Sequence, residues 1–292
     1  MMQQAGYSGA IYPVNPKYDE IQGLRAYARI GDVPGDIDCA IIAVPAKIAL
    51  DAVRACAERG VRSVVMFTAG FAEIDSDGEG AQQQLGEIAA ASGMRVLGPN
   101  CLGVFNLKTH WFGTFGNIFG MTRLPPGDVG IVTQSGAYGA HVFVAAQKRG
   151  VGSNYWVTTG NEVDIGVAEV IEHYVAAHDV RVIVAYAEGM KDPERVRRAF
   201  AAARDAGKPI VFMKVGRTDA GARAAQSHTA SLAGADAIYD ALFKQYGVYR
   251  AKTTEELVDV AYACQFGRYP IGKRVSLLTV SGGVGVQMAD AA

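Results

Sequence analysis

An excess of charge of either sign is what this 292-residue chain lacks: 28 Lys and Arg stand against 29 Asp and Glu, a formal net charge of -1. No run of Lys or Arg forms a patch able to neutralise a nucleic-acid backbone or an anionic lipid, so neither nucleic acid nor membrane is expected as a partner. No uncharged apolar stretch reaches membrane-spanning length, and Met1 to Tyr7 has no basic-then-apolar leader pattern, so a cytoplasmic protein is expected. Cysteine is scarce. Cys39, Cys56, Cys101 and Cys264 lie far apart, without the paired spacing of a zinc site or redox motif, and read as reduced thiols. Cys101 sits in the loop Gly98-Pro99-Asn100-Cys101-Leu102-Gly103, where a packed small residue competes with a nucleophile as its reading. His110, His141, His173 and His178 have no metal-ligand spacing, so no metal site is expected. The Gly-x-Ser-x-Gly of a hydrolase elbow is missing, and Gly-x-Gly-x-x-Gly is missing from the first half, which argues against a nicotinamide-dependent dehydrogenase.

What is abundant is glycine, 35 residues, in a chain that is 50% hydrophobic. From about residue 38, short β-branched runs alternate with glycine or proline breaks and stretches of helical spacing, the pattern of a parallel sheet covered by helices. Strands are expected at 10–14, 39–44, 63–68 and 96–97, with helices at 46–60 and 80–91 and a polar turn at 75–80 between. Residues 106–126 hold no period and end in Leu124-Pro125-Pro126-Gly127, a linker-like stretch that sets the expected boundary. The pattern restarts with strands at 129–133, 155–158, 180–186 and 210–215 and helices at 137–149, 166–177, 193–206, 236–245 and 254–266, a second doubly wound unit. Residues 274–280 read as one further strand before Ser281-Gly282-Gly283-Val284-Gly285. The customary first strand and glycine-rich turn of a dinucleotide-type fold are not found, so truncation at both ends is expected.

Ligands of open parallel sheets bind at the carboxyl ends of strands. In the first unit those ends include Tyr12 to Lys17, Ala43-Val44-Pro45, Thr68-Ala69-Gly70-Phe71 and Gly98-Pro99-Asn100; they read as ligand-binding turns or as ordinary strand-end turns. In the second unit Gln134-Ser135-Gly136 joins a strand to a helix, and Ser135 reads as a phosphate contact or as a helix N-cap. The most informative stretch runs from Lys214 to Gly234, where nearly everything around His228 is small. A neutral imidazole is a competent nucleophile, its phosphoramidate can pass the phosphoryl group onward, and small neighbours let such a loop move between two sites. Such an imidazole needs its other nitrogen held; Glu188 is the first candidate, with Glu162 and Asp164 as rivals.

Taken in order, Tyr12 to Lys17, Gly98 to Gly103, Gln134-Ser135-Gly136, Gly160-Asn161, Glu188-Gly189, Gly216-Arg217 and Ser227-His228-Thr229 resemble the alpha part of NDP-forming acyl-CoA synthetases, of the ADP-forming acetate–CoA ligase kind and related to the succinyl-CoA synthetase alpha subunit. The resemblance covers nearly the whole chain. It implies an α/β fold: a Rossmann-like CoA-binding domain at 1–124, a flavodoxin-like doubly wound ligase domain with a phosphohistidine loop at 127–268, and the beginning of a third ligase domain at 272–292. It implies interconversion of acyl-CoA, NDP and phosphate with acid, CoA and NTP through an acyl phosphate and a phosphohistidine. His228 is then the phosphorylated nucleophile, Glu188 its orienting carboxylate, Ser135 and Gly136 the phosphate cradle, and Lys17, Thr68 and Ala69 contacts to coenzyme A. ATP/ADP and Mg2+ belong, by the same resemblance, to an ATP-grasp module that this chain does not contain. Its implied partners are a small carboxylic acid or acyl-CoA, an ATP-grasp domain or beta subunit, and further subunits of a homo- or hetero-oligomer. One departure stands out, since the family's glycine-rich pyrophosphate loop belongs upstream of Gly6. The alternative reading is a non-catalytic CoA-binding regulatory region of a synthetase-like acetyltransferase.

Overall fold

The computed structural model describes residues 2–116, 126–218, 220–221 and 236–292. After α1 (Met2–Ala5) and a small hairpin of β1 (Glu20–Ile21) and β2 (Leu24–Arg25), three parallel strands form the first sheet: β3 (Cys39–Ile42), β4 (Ser63–Met66) and β5 (Arg95–Leu97). They are joined by α2 (Ala46–Glu58) and α3 (Ser76–Ser92). Ala49, Val53 and Cys56 fall on one face of α2 and meet Leu85 and Ala89 of α3 over Val64, Met66 and Val96 in one core. The expected turn at 75–80 is instead the first turn of α3, because the Asp75 side chain accepts the Gly78 N–H at 2.9 Å and caps it. Residues 10–14, expected as a strand, form only the bridge Val14 to Tyr27; Pro13 has no N–H to extend a ladder, though its carbonyl accepts from Tyr27.

The larger sheet runs, among the described residues, in the order β12 (Tyr249–Arg250), β11 (Ile210–Lys214), β10 (Val182–Ala187), β8 (Val129–Thr133), β9 (Ser153–Thr158), β6 (Gly103–Asn106) and β7 (Trp111–Thr114). Its parallel part is β8, β9, β10, β11 and the short β12. Both faces of β8, β10 and β11 are buried, so apolar residues stand at both parities of these strands. Val182, Val184 and Tyr186 of β10 and Val211 and Met213 of β11 face α4 (Gly136–Arg149) and the helix Thr254–Gln265. Ile183, Ala185, Ile210 and Phe212 face the other way, towards α5 (Val167–Ala176), α6 (Pro193–Asp205) and the helix Asp236–Tyr246. Val65, Leu97 and Cys101 of the first unit join this second cluster, so the two sheets share apolar contact.

The stretch 106–126, read as irregular, holds β7 (Trp111–Thr114), which forms an antiparallel hairpin with β6 (Gly103–Asn106) at its leading edge. Its ladder runs to β9, with Val104 opposite Val157 and Asn106 opposite Tyr155, so these residues ahead of the expected boundary at 124 hydrogen-bond into the second unit's sheet. Phe105 supplies the reason: it is fully buried, with its ring 5.6 Å from Trp156 and 5.2 Å from Phe143. Residues 274–280, expected as a strand, form no ladder among the described residues, and the following helix, Gly282–Ala291, buries no side chain. A strand exists only against a neighbour, and no described strand lies alongside. No helix among the described residues is long and apolar enough to cross a membrane.

Candidate functional site

Strand order places the site. From β8 the chain steps through α4 to β9 on one side, then crosses back through α5 to β10 on the other. The order therefore reverses at β8, and in a sheet of this order the ligand crevice is expected at the carboxyl ends of β8 and β10. Gln134, Ser135 and Gly136 leave β8 there, and Glu188 and Gly189 leave β10.

Ser135 is the N-cap of α4; its Oγ accepts the Tyr138 N–H at 3.3 Å. A hydroxyl that accepts keeps its own proton to donate, so the capping reading and the phosphate reading coexist in this geometry. Gly136 and the residue after it open the helix, where backbone N–H groups have no carbonyl partner within the helix. Gly136 is required by packing: a Cβ there would stand 2.8 Å from Leu102 Cβ.

Glu188 is 4% exposed, and among the described residues its Oε2 finds no hydrogen-bond partner. Its two rivals are committed elsewhere. Asp164 accepts from the Arg95 guanidinium at 2.9 and 3.0 Å and from the Val96 N–H at 2.8 Å, tying the two units together. Glu162 Oε1 accepts from Thr159 Oγ1 at 2.8 Å and the Val167 N–H at 3.0 Å; burial pushes its pKa up, against these hydrogen bonds and the Lys191 charge. Beside Glu188, the Tyr186 hydroxyl has its pKa raised by burial first and by the neighbouring carboxylate second. One strand further, Lys214 pairs in register with Ala187, is 1% exposed, donates to the Val215 carbonyl and lies 4.6 Å over the Tyr239 ring. Burial lowers its pKa. His228, the expected nucleophile, lies outside the described residues.

In the first unit Thr68 is buried, and its Oγ1 donates to the Val44 carbonyl at 2.8 Å, tying the ends of β4 and β3 together. Its hydroxyl is thus spent on the fold, and what the turn offers outward is backbone and the exposed Ala69. Lys17 is exposed in a separate turn, where its N–H is held by Asn15 Oδ1 at 2.9 Å. The loop after β5 joins the expected CoA turn to the expected phosphate cradle: Asn100 N–H donates to the Thr68 carbonyl at 2.9 Å, and Leu102 packs on Gly136. Cys101 in that loop is 3% exposed, donates to the Met66 carbonyl and has its pKa pushed up to about 12 by burial, the state of a packed residue.

Sequence reasoning passed over Gln134. Its buried side chain accepts the Glu188 and Gly189 N–H groups at 2.7 and 3.2 Å and donates to the Gly189 carbonyl at 2.6 Å. The signal was a buried polar residue just past a largely apolar strand, but its partners stand 54 and 55 residues away. Asn161 was quoted without a role; its amide donates to Glu73 and to Gln82 of the first unit, and its N–H to the Pro99 carbonyl.

Two family models match the chain: a CoA binding domain over residues 1–106, and a succinyl-CoA ligase like flavodoxin domain over residues 126–264. The chain is 39% identical to the alpha subunit of ADP-forming acetate–CoA ligase II from Pyrococcus furiosus, over 97% of this chain and 60% of that protein. It is 38% identical to the ADP-forming acetate–CoA ligase of Methanocaldococcus jannaschii, over 97% of this chain and 39% of that one. Among solved structures, the acetyl-coenzyme A synthetase 1 of Ca. Korarchaeum cryptofilum, determined with phosphate and ADP, superposes with a TM-score of 0.90 at 36% identity, covering 99% of this chain and 61% of that one. The chain thus spans 39% to 61% of the length of these relatives. On these grounds it belongs to the family of NDP-forming acyl-CoA synthetases related to succinyl-CoA ligase, as the alpha part that carries the CoA-binding and flavodoxin-like domains.

Proposed function

We propose that this chain is the acyl- and phosphate-handling component of an NDP-forming acid–CoA ligase, with His228 as the phosphoryl carrier and Glu188 as the carboxylate that orients it. The observation that carries the reading is Glu188 itself: a buried carboxylate at the switch-point crevice with one oxygen unpartnered among the described residues, while both rival carboxylates are satisfied. An unpaired buried acceptor costs stability, and an imidazole N–H supplied by the 222–235 segment would satisfy it.

In the direction of acid release, a phosphate oxygen attacks the thioester carbonyl, the C–S bond breaks, and the thiolate leaves and takes up a proton. An imidazole nitrogen of His228 then attacks phosphorus, the P–O bond to the acyl group breaks, and the carboxylic acid leaves as its anion. The helix start at Ser135 and Gly136 holds phosphate by backbone N–H groups and a hydroxyl. The Glu188 carboxylate accepts from the other ring nitrogen, fixing the tautomer and stabilising the cationic ring that forms. Thr68 and Ala69 present backbone to the CoA thioester, and Lys17 offers a cation to its phosphates.

Passage to ADP is assigned to an ATP-grasp domain or beta subunit outside this chain, in keeping with the share of each relative that the chain spans. The Mg2+ that accompanies the nucleotide is assigned to that module too. ADP is taken as the acceptor, and the acid as a carboxylic acid of open size, since relatives of similar identity are named for acetate, 4-hydroxybutyrate and ferulate.

The test is phosphoryl uptake from two acyl phosphates of different size, acetyl and benzoyl [32P]phosphate. The expected result is an acid-labile, base-stable label on the chain that His228→Asn abolishes. An inert CoA sensor takes up no label from either donor, and that outcome would overturn the reading.

A further inference from the structure

We propose that Gln134 is a positioning residue for Glu188: its side-chain amide holds the turn after β10 in the one geometry that aims the carboxylate into the crevice. The inference rests on the ligase reading above and adds to it a residue with no assigned part.

Gln134 is 6% exposed and follows the last residue of β8. Five hydrogen bonds tie it to the strand ends on both sides, and its side chain also bonds the buried Glu162 carboxylate. Its N–H donates to the Tyr186 carbonyl at 3.1 Å and its carbonyl accepts the Gly160 N–H at 3.1 Å. Its side chain makes the other three: Oε1 receives the N–H groups of Glu188 and Gly189 at 2.7 and 3.2 Å, and Nε2 donates to the Gly189 carbonyl at 2.6 Å. The turn that carries Glu188 is thus bonded to one amide from three backbone groups, in place of the ladder bonds that end with β10.

The chemistry of the site selects this side chain. Asparagine is a methylene short of the turn. Glutamate accepts both N–H groups, but it cannot donate to the Gly189 carbonyl and sets a second negative charge beside Glu188. Methionine has the length and no hydrogen bonds, leaving two buried N–H groups unsatisfied. Helix capping does not explain Gln134, because the adjacent Ser135 caps α4. A carboxylate that must meet an incoming ring needs its backbone fixed to within about half an ångström, and loss of such a supporting partner costs about 10–100-fold in activity.

The experiment measures label transfer from acyl [32P]phosphate to the full chain, at temperatures below melting, in wild type, Gln134→Met, Glu188→Gln and the double variant. Gln134→Met is expected to lower the saturated labelling rate about 10–100-fold. The half-saturating acyl phosphate concentration is expected to stay within about twofold of wild type, since the helix start is untouched. The double variant is expected to be no slower than the slower single, because both changes act through one carboxylate. Losses that multiply in the double variant, or a shift confined to half-saturation, overturn the proposal while leaving the ligase reading intact. A wild-type chain that takes up no label overturns both, so the two failures are told apart by the wild-type lane alone.

Discussion

Leu102 in the loop after β5 lies against Gly136, the first residue of α4, so closely that a Cβ on the glycine would stand 2.8 Å from Leu102 Cβ and 3.2 Å from its backbone N. The neighbour is backbone and Cβ, neither of which can swing aside. Gly136→Ala is therefore expected to destabilise the protein by about 1–3 kcal/mol, the usual cost of overpacking. In an uncrowded helix start the same change would stabilise by up to about 1 kcal/mol, so urea unfolding decides by the sign of the difference.

The two units are also joined through Glu73. Its carboxylate accepts the Gly70 N–H at 2.6 Å, the Phe71 N–H and the Asn161 amide. Burial would raise its pKa, but these hydrogen bonds outweigh burial and hold it below the ordinary value of 4.5. Near 4.5 the unfolded chain therefore binds a proton that the folded chain does not. The stabilisation is complete above that value and drains away as pH falls through the lowered folded value. Wild-type stability, followed by urea unfolding from neutral pH into this window, is expected to fall more steeply than that of Glu73→Gln. Equal slopes would show that Glu73 carries none of the pH dependence.

Phe105 decides where the β6–β7 hairpin draws its stability. It is fully buried against Trp156, Phe143 and Phe112. Phe105→Ala is expected to cost about 3–5 kcal/mol in unfolding free energy. The emission of the buried Trp156, whose indole N–H donates to the Gly139 carbonyl at 3.0 Å, is expected to shift with it.

The doubly wound sheet was legible because burial on both faces leaves a plain mark: β8 was expected at 129–133, and Val129–Thr133 is its span. The hairpin was not, because two four-residue strands are too short to show a period and their apolar residues find partners in β9 and Trp156, far along the chain. Sequence put Glu188 first among the carboxylates near the end of β10 and kept Glu162 and Asp164 as rivals. What separates them is where hydrogen bonds go: Asp164 to Arg95 and Val96, Glu162 to Thr159 and Val167. Thr68 was legible as a strand-end residue, while the use of its hydroxyl on Val44 depends on the spacing of β3 and β4.

The account stands on the proposal that His228 pairs with the Glu188 oxygen left without a partner among the described residues. Its most direct test is the rate and position of phosphoryl uptake in Glu188→Gln, mapped to the residue by mass spectrometry. The predicted result is phosphate confined to His228 and uptake slowed by about 10–100-fold relative to wild type. Uptake at the wild-type rate in Glu188→Gln, or phosphate on any other residue, would contradict it.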